Sequence, residues 1–279
     1  MTATTTREYT DTDLDEIFRP VFDRIAEGAV RRESTRELAR EEIGWLKDVR
    51  FGALRVPVEL GGYGASVRTL FRLLIDLAAA ESNLPQALRV HWSFVEDQLL
   101  STDTPAREQW LRAVADGTLV GNAITEPGVG AVDRYRTTVT EVDGGLKLDG
   151  TKYYSTGSLY SDHILVAADR DGERVSVLVD ADADGVTQHD DWDGFGQRLT
   201  ASGTTEFAGV DVPADRVLAR VRRPRSHVLD VVSAARPAGR ARRDRPARTR
   251  RCRAGCGPAP APSPTPQPTC RARIRWCSR

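Results

Sequence analysis

Residues 121–133 read GNAITEPGVGAVD, residues 148–168 read LDGTKYYSTGSLYSDHILVAA, and residues 195–218 read FGQRLTASGTTEFAGVDVPADRVL. The period of this stretch decides the fold. Apolar residues alternate in short runs, and Gly, Asp and Pro separate the runs. Residues 137–142 (TTVTEV) alternate, Asp143, Gly144 and Gly145 make a turn, and residues 146–148 resume the alternation, which predicts a hairpin. Residues 163–168 and 175–179 predict a second pair, joined through Arg170, Asp171 and Gly172. Residues 204–212 predict another strand, ended by Pro213. Short strands at this spacing, with no helix between them, point to an antiparallel β-sandwich or barrel over residues 118–219.

N-terminal to this stretch the period is helical. Leu14, Ile17, Phe18, Val21, Phe22 and Ile25 recur at three- and four-residue steps, and Pro20 is a candidate kink. Leu38, Ile43, Trp45 and Leu46 repeat the pattern over residues 33–48. PVELGGYGAS (57–66) reads as a loop. An apolar helix follows over residues 66–80, another starts at Pro85, and a third runs from Thr104 and Pro105 to about Ala115. Asp116 and Gly117 end it. The class is therefore α+β: an all-helical domain of about five helices over residues 1–117, then the β domain.

The formal net charge of zero hides a division. Residues 221–279 hold 16 Arg, no Lys and only Asp230 and Asp244 as acids, while residues 1–220 carry an excess of acid. All four cysteines (Cys252, Cys256, Cys270, Cys277) lie in the basic part, so no disulfide framework supports the body. Their spacing matches no zinc pattern, and no metal is expected. Nine prolines between Pro224 and Pro268 predict disorder over residues 220–279. Two readings stand. A basic tail would bind nucleic acid or acidic lipid. Arg, Ala, Pro, Gly and Cys without Lys fit GC-rich DNA read out of frame, and that reading is favoured, so nucleic acid is not the expected partner. No apolar run approaches the roughly 18 residues of a membrane span. The N-terminus has no basic start followed by an apolar stretch, so a cytoplasmic location is expected.

PVELGGYGAS is similar to the P-x-E-x-G-G-x-G loop of the acyl-CoA dehydrogenase superfamily. GNAITEPGVG resembles its T-E-P-x-x-G flavin segment, and FGQRLTASGTTEFAGVDVPADRVL its G-x-R-x-T-x-S…F…V-x-V-P signature. Three motifs in order over about 160 residues make the resemblance specific. Two features pull it toward the flavin-dependent monooxygenase branch. Where the dehydrogenases usually have W-I-T-N-G, this chain has Tyr154, Ser155, Thr156 and Gly157. The Ser of the dehydrogenase G-S-D segment is missing, because Ala131 and Val132 separate Gly130 from Asp133.

The resemblance implies a flavin, FMN or FAD, whose ring needs partners along its pyrimidine edge and at N5 and a wall behind it. Thr125 and the backbone around Glu126 suit the edge, Ser155 and Thr156 suit N5, and Tyr154 suits a ring face. Locally the same residues also read as ordinary strand Thr and Ser and a TEPG turn. Gly128 and Gly130 make no dinucleotide fingerprint, since no third glycine or helix follows at the right step. His91 and Asn122 match active-site positions of the monooxygenase branch, with His91 as a hydrogen-bond donor to substrate or oxygenated flavin. A core histidine and a strand-start turn are the alternatives. Arg198 is matched to cofactor phosphate or subunit contacts, with a solvated arginine as the alternative. The expected catalytic set is His91, Asn122 and Ser155, and the expected cofactor set is Thr125, Glu126, Tyr154, Ser155, Thr156 and Arg198.

On the resemblance, the expected activity is oxidation of a small organosulfur or similar molecule with reduced flavin and dioxygen, a flavin reductase supplying the reduced cofactor. Oxidation of an acyl thioester with FAD is the alternative, and a non-enzymatic remnant or basic-tailed binding protein is the third reading. The superfamily closes with a helical bundle that carries catalytic residues and builds a homotetramer. Nothing after Arg220 has its pattern, and His227 has no partner at a useful spacing. The sequence as written is thus expected to be truncated, to hold flavin weakly, to aggregate and to lose the tetramer.

Overall fold

The computed structural model describes residues 8–126 and 135–218. The expectations placed on Gly128 to Asp133, on the basic stretch 220–279 with its four cysteines, and on His227 lie outside the described residues.

Six α-helices come first. Helix α1 (Asp11–Thr35) starts at a capping box in which Thr10 and Asp13 satisfy each other's backbone N–H groups. It runs through Pro20 and buries Leu14, Phe18, Phe22 and Ile25. Helix α2 (Arg40–Asp48) follows, and the Pro57 loop is built from two 3₁₀ turns, Phe51–Ala53 and Val58–Leu60. Helix α3 (Val67–Ala80) is capped by Ser66, whose hydroxyl accepts from the Thr69 amide. The helix expected from Pro85 is two, α4 (Asn83–Ala87) and α5 (Arg89–Leu100). The Ala87 carbonyl at their junction lies against Gly157 of the β part. Helix α6 (Thr104–Ala115) ends as expected, with Gly117 at φ 101°. Among the described residues no helix is long and apolar enough to cross a membrane.

Eight strands then form one sheet: β1 (Val120–Ala123), β2 (Thr138–Val142), β3 (Gly145–Lys152), β4 (His163–Arg170), β5 (Glu173–Asp180), β6 (Val186–Gln188), β7 (Thr205–Val212) and β8 (Val217–Leu218). Their order is β6-β7-β3-β2-β4-β5-β8, with β1 on β4. Both expected hairpins form, β2 with β3 and β4 with β5. Asp171 (φ 54°) and Gly172 (φ 85°) turn the second, the two positive φ values that a twisted hairpin favours. The sheet is mostly antiparallel, but β1 and β2 each run parallel to β4. Strands β1, β6 and β8 were not expected. All four residues of β1 are buried, so it shows no alternation, and β6 has only three residues.

Three apolar clusters hold this together. One fills the helical part around Phe18, Phe51, Leu70 and Trp92. One lies on a sheet face around Val139, Leu148, Ile164 and Phe207. The third joins the two, packing Ala53, Phe94, Val95 and Trp110 against Val120 and Leu178. The helical layer is therefore seated on β1 and β5, and this junction positions the candidate site.

Candidate functional site

Three chain segments meet where β1 and β3 end. Past β1, Thr125 pairs with Tyr153 in a single bridge, the Tyr153 N–H donating to the Thr125 carbonyl at 2.7 Å. Past β3, residues 153–157 make a tight turn. Tyr154 sits at φ 58°, a left-handed conformation that is strained for an aromatic residue, and Gly157 at φ 77°. The turn is laced to residues 200–203. The Ser155 amide donates to the Gly203 carbonyl (3.0 Å) and the Gly157 amide to the Thr200 carbonyl (2.9 Å). Asn83 of α4 accepts from the Leu199 amide at 3.2 Å, so the helical part fixes the third segment.

Within this arrangement Asn122, 5% exposed, donates from its side chain to the Tyr154 carbonyl at 3.2 Å. The Thr156 hydroxyl lies 2.9 Å from that of Ser202, which lies 2.7 Å from that of Thr200. Ser155 is wholly buried, and its hydroxyl has no hydrogen-bond partner among the described residues. A buried hydroxyl left so costs about 1–3 kcal/mol. Beside it Tyr154 is 46% exposed and Ile124 39%. The Tyr154 ring meets Tyr153 at 4.5 Å and Trp192 at 5.5 Å between centroids. Trp192 is itself held, its ring N–H on the Gln197 carbonyl and its own carbonyl on Arg36. The result is an aromatic wall next to a strip of backbone and hydroxyl groups.

The structure thus gathers Asn122, Thr125, Tyr154, Ser155 and Thr156. It takes three other expected residues elsewhere. The Glu126 side chain turns inward to the buried Lys152 ammonium at 2.8 Å and accepts from the Arg136 and Thr137 amides, each at 2.8 Å. Burial pushes this carboxyl up, but the Arg136 amide, Lys152 and the Thr137 amide outweigh it and hold the pKa down at about 2. Burial pushes the Lys152 pKa down, against the pull of Glu126. The Glu126 carboxylate is therefore committed to a buried ion pair, and only its backbone remains to face a cofactor. Lys152 also donates to the Ile124 carbonyl at 3.3 Å, which braces the segment carrying Thr125.

His91 is wholly buried between α5, the Phe51–Ala53 turn and β1. Its Nδ1 accepts from the Val120 amide (3.3 Å), so its Nε2 carries the proton and donates to the Gly52 carbonyl (3.0 Å). Burial pushes its pKa down to about 4. Both nitrogens are spent on backbone in a neutral ring, which leaves no donor for the catalytic role expected of it. Arg198 donates to the Glu33 carbonyl at 3.2 Å and lines a groove of about 590 Å³ between α1 and α3 with Val30, Ala79 and Ser82. Its one hydrogen bond is to helix α1, not to the Asn122–Thr156 cluster.

Sequence reasoning missed Lys152, Trp192, Thr200 and Ser202. Thr200 and Ser202 stood in a recognised motif, but nothing local showed that their hydroxyls reach Thr156. Among the described residues no three His, Cys, Asp or Glu side chains converge on a metal position.

Comparison with known proteins gives a consistent picture. The family model for the acyl-CoA dehydrogenase middle domain matches residues 121–210. The chain is 29% identical over 238 residues to dibenzothiophene monooxygenase of Rhodococcus erythropolis, covering 82% of this chain and 56% of that protein. It is 27% identical over 199 residues to a probable acyl-CoA dehydrogenase of Mycobacterium bovis, 67% of this chain and 31% of that one. The crystal structure of FMN-bound TdsC from Paenibacillus sp. A11-2 superposes with a TM-score of 0.66 at 27% identity, over 74% of this chain and 53% of that chain. The chain spans about half the length of the monooxygenases it matches.

Proposed function

We propose that the chain is the helical and middle portion of a flavin-dependent monooxygenase of the acyl-CoA dehydrogenase superfamily, one that oxidises a small organosulfur compound. The helical domain (1–117) and the β domain (118–219) together form the cofactor cleft in this reading. A reduced flavin supplied by a reductase would bring the electrons that activate dioxygen. The chain's own groups do the rest. The Thr125 backbone and hydroxyl hold the pyrimidine edge. Thr156 and the backbone of the 153–157 turn address N5, with the buried Ser155 packed behind them. Tyr154 and Trp192 wall one side and exclude water. Asn122 fixes the turn through the Tyr154 carbonyl. His91 enters as a positioning residue that pins β1 to α5, and Arg198 as a contact to the helical layer.

The observation that carries the reading is the exposed Tyr154 ring, held in a left-handed turn beside Thr125 at the place where the flavin motifs converge. The test is titration of the full chain with FMN and FAD, oxidised and reduced, followed by tryptophan fluorescence, then assay of sulfur oxidation with a separate reductase and NADH. We expect saturable flavin binding, weakened about tenfold in Tyr154→Ala, and sulfoxide formation that depends on reduced flavin. Absence of flavin binding overturns the proposal. Reduction of bound flavin by an acyl-CoA thioester, with no sulfoxide, selects the dehydrogenase reading, which the Mycobacterium bovis relative favours.

A further inference from the structure

Leu199 opens the segment to which the 153–157 turn is laced, and side chains from outside that segment take both of its backbone polar groups. Its amide donates to Oδ1 of Asn83 at 3.2 Å, and its carbonyl accepts from the Tyr160 hydroxyl at 2.6 Å. Backbone chemistry fixes the direction of both bonds. An amide N–H cannot accept, so Asn83 must turn its oxygen to Leu199, which leaves its Nδ2 to donate to the Glu81 carboxylate 2.7 Å away. The Ala39 amide donates to the Tyr160 oxygen at 3.1 Å, so the phenolic proton goes to the Leu199 carbonyl. Both holds lead back to the helical layer. Asn83 opens α4, and Glu81 behind it is paired with Arg32 of α1 at 3.5 Å. Tyr160 closes the Ser158–Tyr160 3₁₀ turn and reaches the residue that precedes α2. Asn83, Glu81, Tyr160 and Leu199 are all buried, so water does not readily replace these bonds. From Leu199 the hold passes to the turn: the Thr200 and Ala201 carbonyls accept from the Gly157 amide at 2.9 and 3.1 Å, and the Gly203 carbonyl accepts from the Ser155 amide at 3.0 Å. The other end of α4 meets the turn directly, with the Ala87 carbonyl against Gly157.

We propose that Asn83 and Tyr160 are positioning residues for the candidate site: gripping Leu199 by its amide and its carbonyl, they fix the 153–157 turn to the helical layer and thereby set the affinity for flavin, although neither belongs to the Asn122–Thr156 cluster. The inference rests on the flavin reading above and deepens it. It assigns the shape of the turn to two buried side chains whose anchors lie on α1, at the start of α2 and on α4.

The experiment measures two quantities on the full chain: the dissociation constant for FMN, and hydrogen exchange at the Ser155 and Gly157 amides, with the amides of the β4–β5 hairpin as internal reference. Tyr160→Phe removes a single oxygen. It weakens FMN binding ~fivefold, the worth of one hydrogen bond, and speeds exchange at Ser155 and Gly157 while the hairpin stays unchanged. Asn83→Asp keeps an acceptor for Leu199 but sets a carboxylate against that of Glu81, and weakens FMN binding by at least the same ~fivefold. Adding Glu81→Gln to Asn83→Asp gives the pair a donor again and restores the affinity to within about twofold, a rescue that lost packing alone would not show. If Asn83→Asp does not fold, Tyr160→Phe still decides. FMN affinity unchanged in Tyr160→Phe, exchange that rises equally in the hairpin, or a double variant that binds no better than Asn83→Asp overturns the inference while leaving the flavin reading standing. Failure of the unsubstituted chain to bind any flavin overturns both.

Discussion

At the scale of single residues, the site separates groups that look alike in sequence. Ser155 and Thr156 are neighbours with the same functional group, yet one hydroxyl is unmet and the other is committed to Ser202. His91 is the clearest case of a chemical residue used for architecture. Its pKa is held near 4 by burial, while the unfolded chain has the ordinary value of 6.5. Between these two values the unfolded state binds a proton that the folded state does not. Stability is therefore complete above pH 6.5 and falls by about 1.4 kcal/mol per pH unit on acidification toward pH 4. In His91→Asn, which can still donate and accept, urea unfolding measured across that window should show a slope shallower by this amount. An unchanged slope means that His91 is not the neutral buried ring described here. Glu126 adds acid lability at lower pH, because its folded pKa is depressed from 4.5 to about 2.

At the scale of elements, the turn between β3 and the Ser158–Tyr160 3₁₀ turn sets the site's shape. Gly157 sits at φ 77°, and a Cβ there would collide with the Ala87 carbonyl of α4. Only glycine satisfies both demands. Gly157→Ala should cost more than about 2 kcal/mol in chemical unfolding and weaken flavin binding, because α4 and the turn must move apart. A loss under about 0.5 kcal/mol would show that the contact is not tight. The hairpins were legible because each carries a turn with Asp and Gly between alternating runs. The strands β1 and β6 were not, since four buried residues and three residues hold no readable period. The break at Leu88 was also hidden, for Pro85 stands inside the short helix α4.

At the scale of the molecule, the helical layer and the sheet share an apolar cluster in which Phe94 and Trp110 pack with Val120 and Leu178. Neither part can lose its structure without exposing the other's core. Arg36, at the left-handed end of α1, adds a second tie through Asp190 at 2.8 Å. Thermal unfolding followed by far-UV circular dichroism and by tryptophan fluorescence should therefore give one coincident transition. Two separated transitions would mean that the parts fold independently and that the junction contributes little.

The sequence by itself determined the α+β class, the order of helical and β parts, the two hairpins and the motifs that converge on residues 122–126 and 153–157. These are local matters of period, turn chemistry and residue spacing. The tertiary structure alone decided which polar side chains are free. Glu126 and His91 are each consumed by partners distant in the chain, Lys152 for the first and the backbone of Gly52 and Val120 for the second, while Arg198 is drawn to the Glu33 carbonyl. Ser202 and Thr200 meet Thr156 for the same reason. A hydrogen bond is settled by which donor lies within about 3 Å of which acceptor, and burial makes that choice binding; neither is written in a residue's own neighbourhood along the chain.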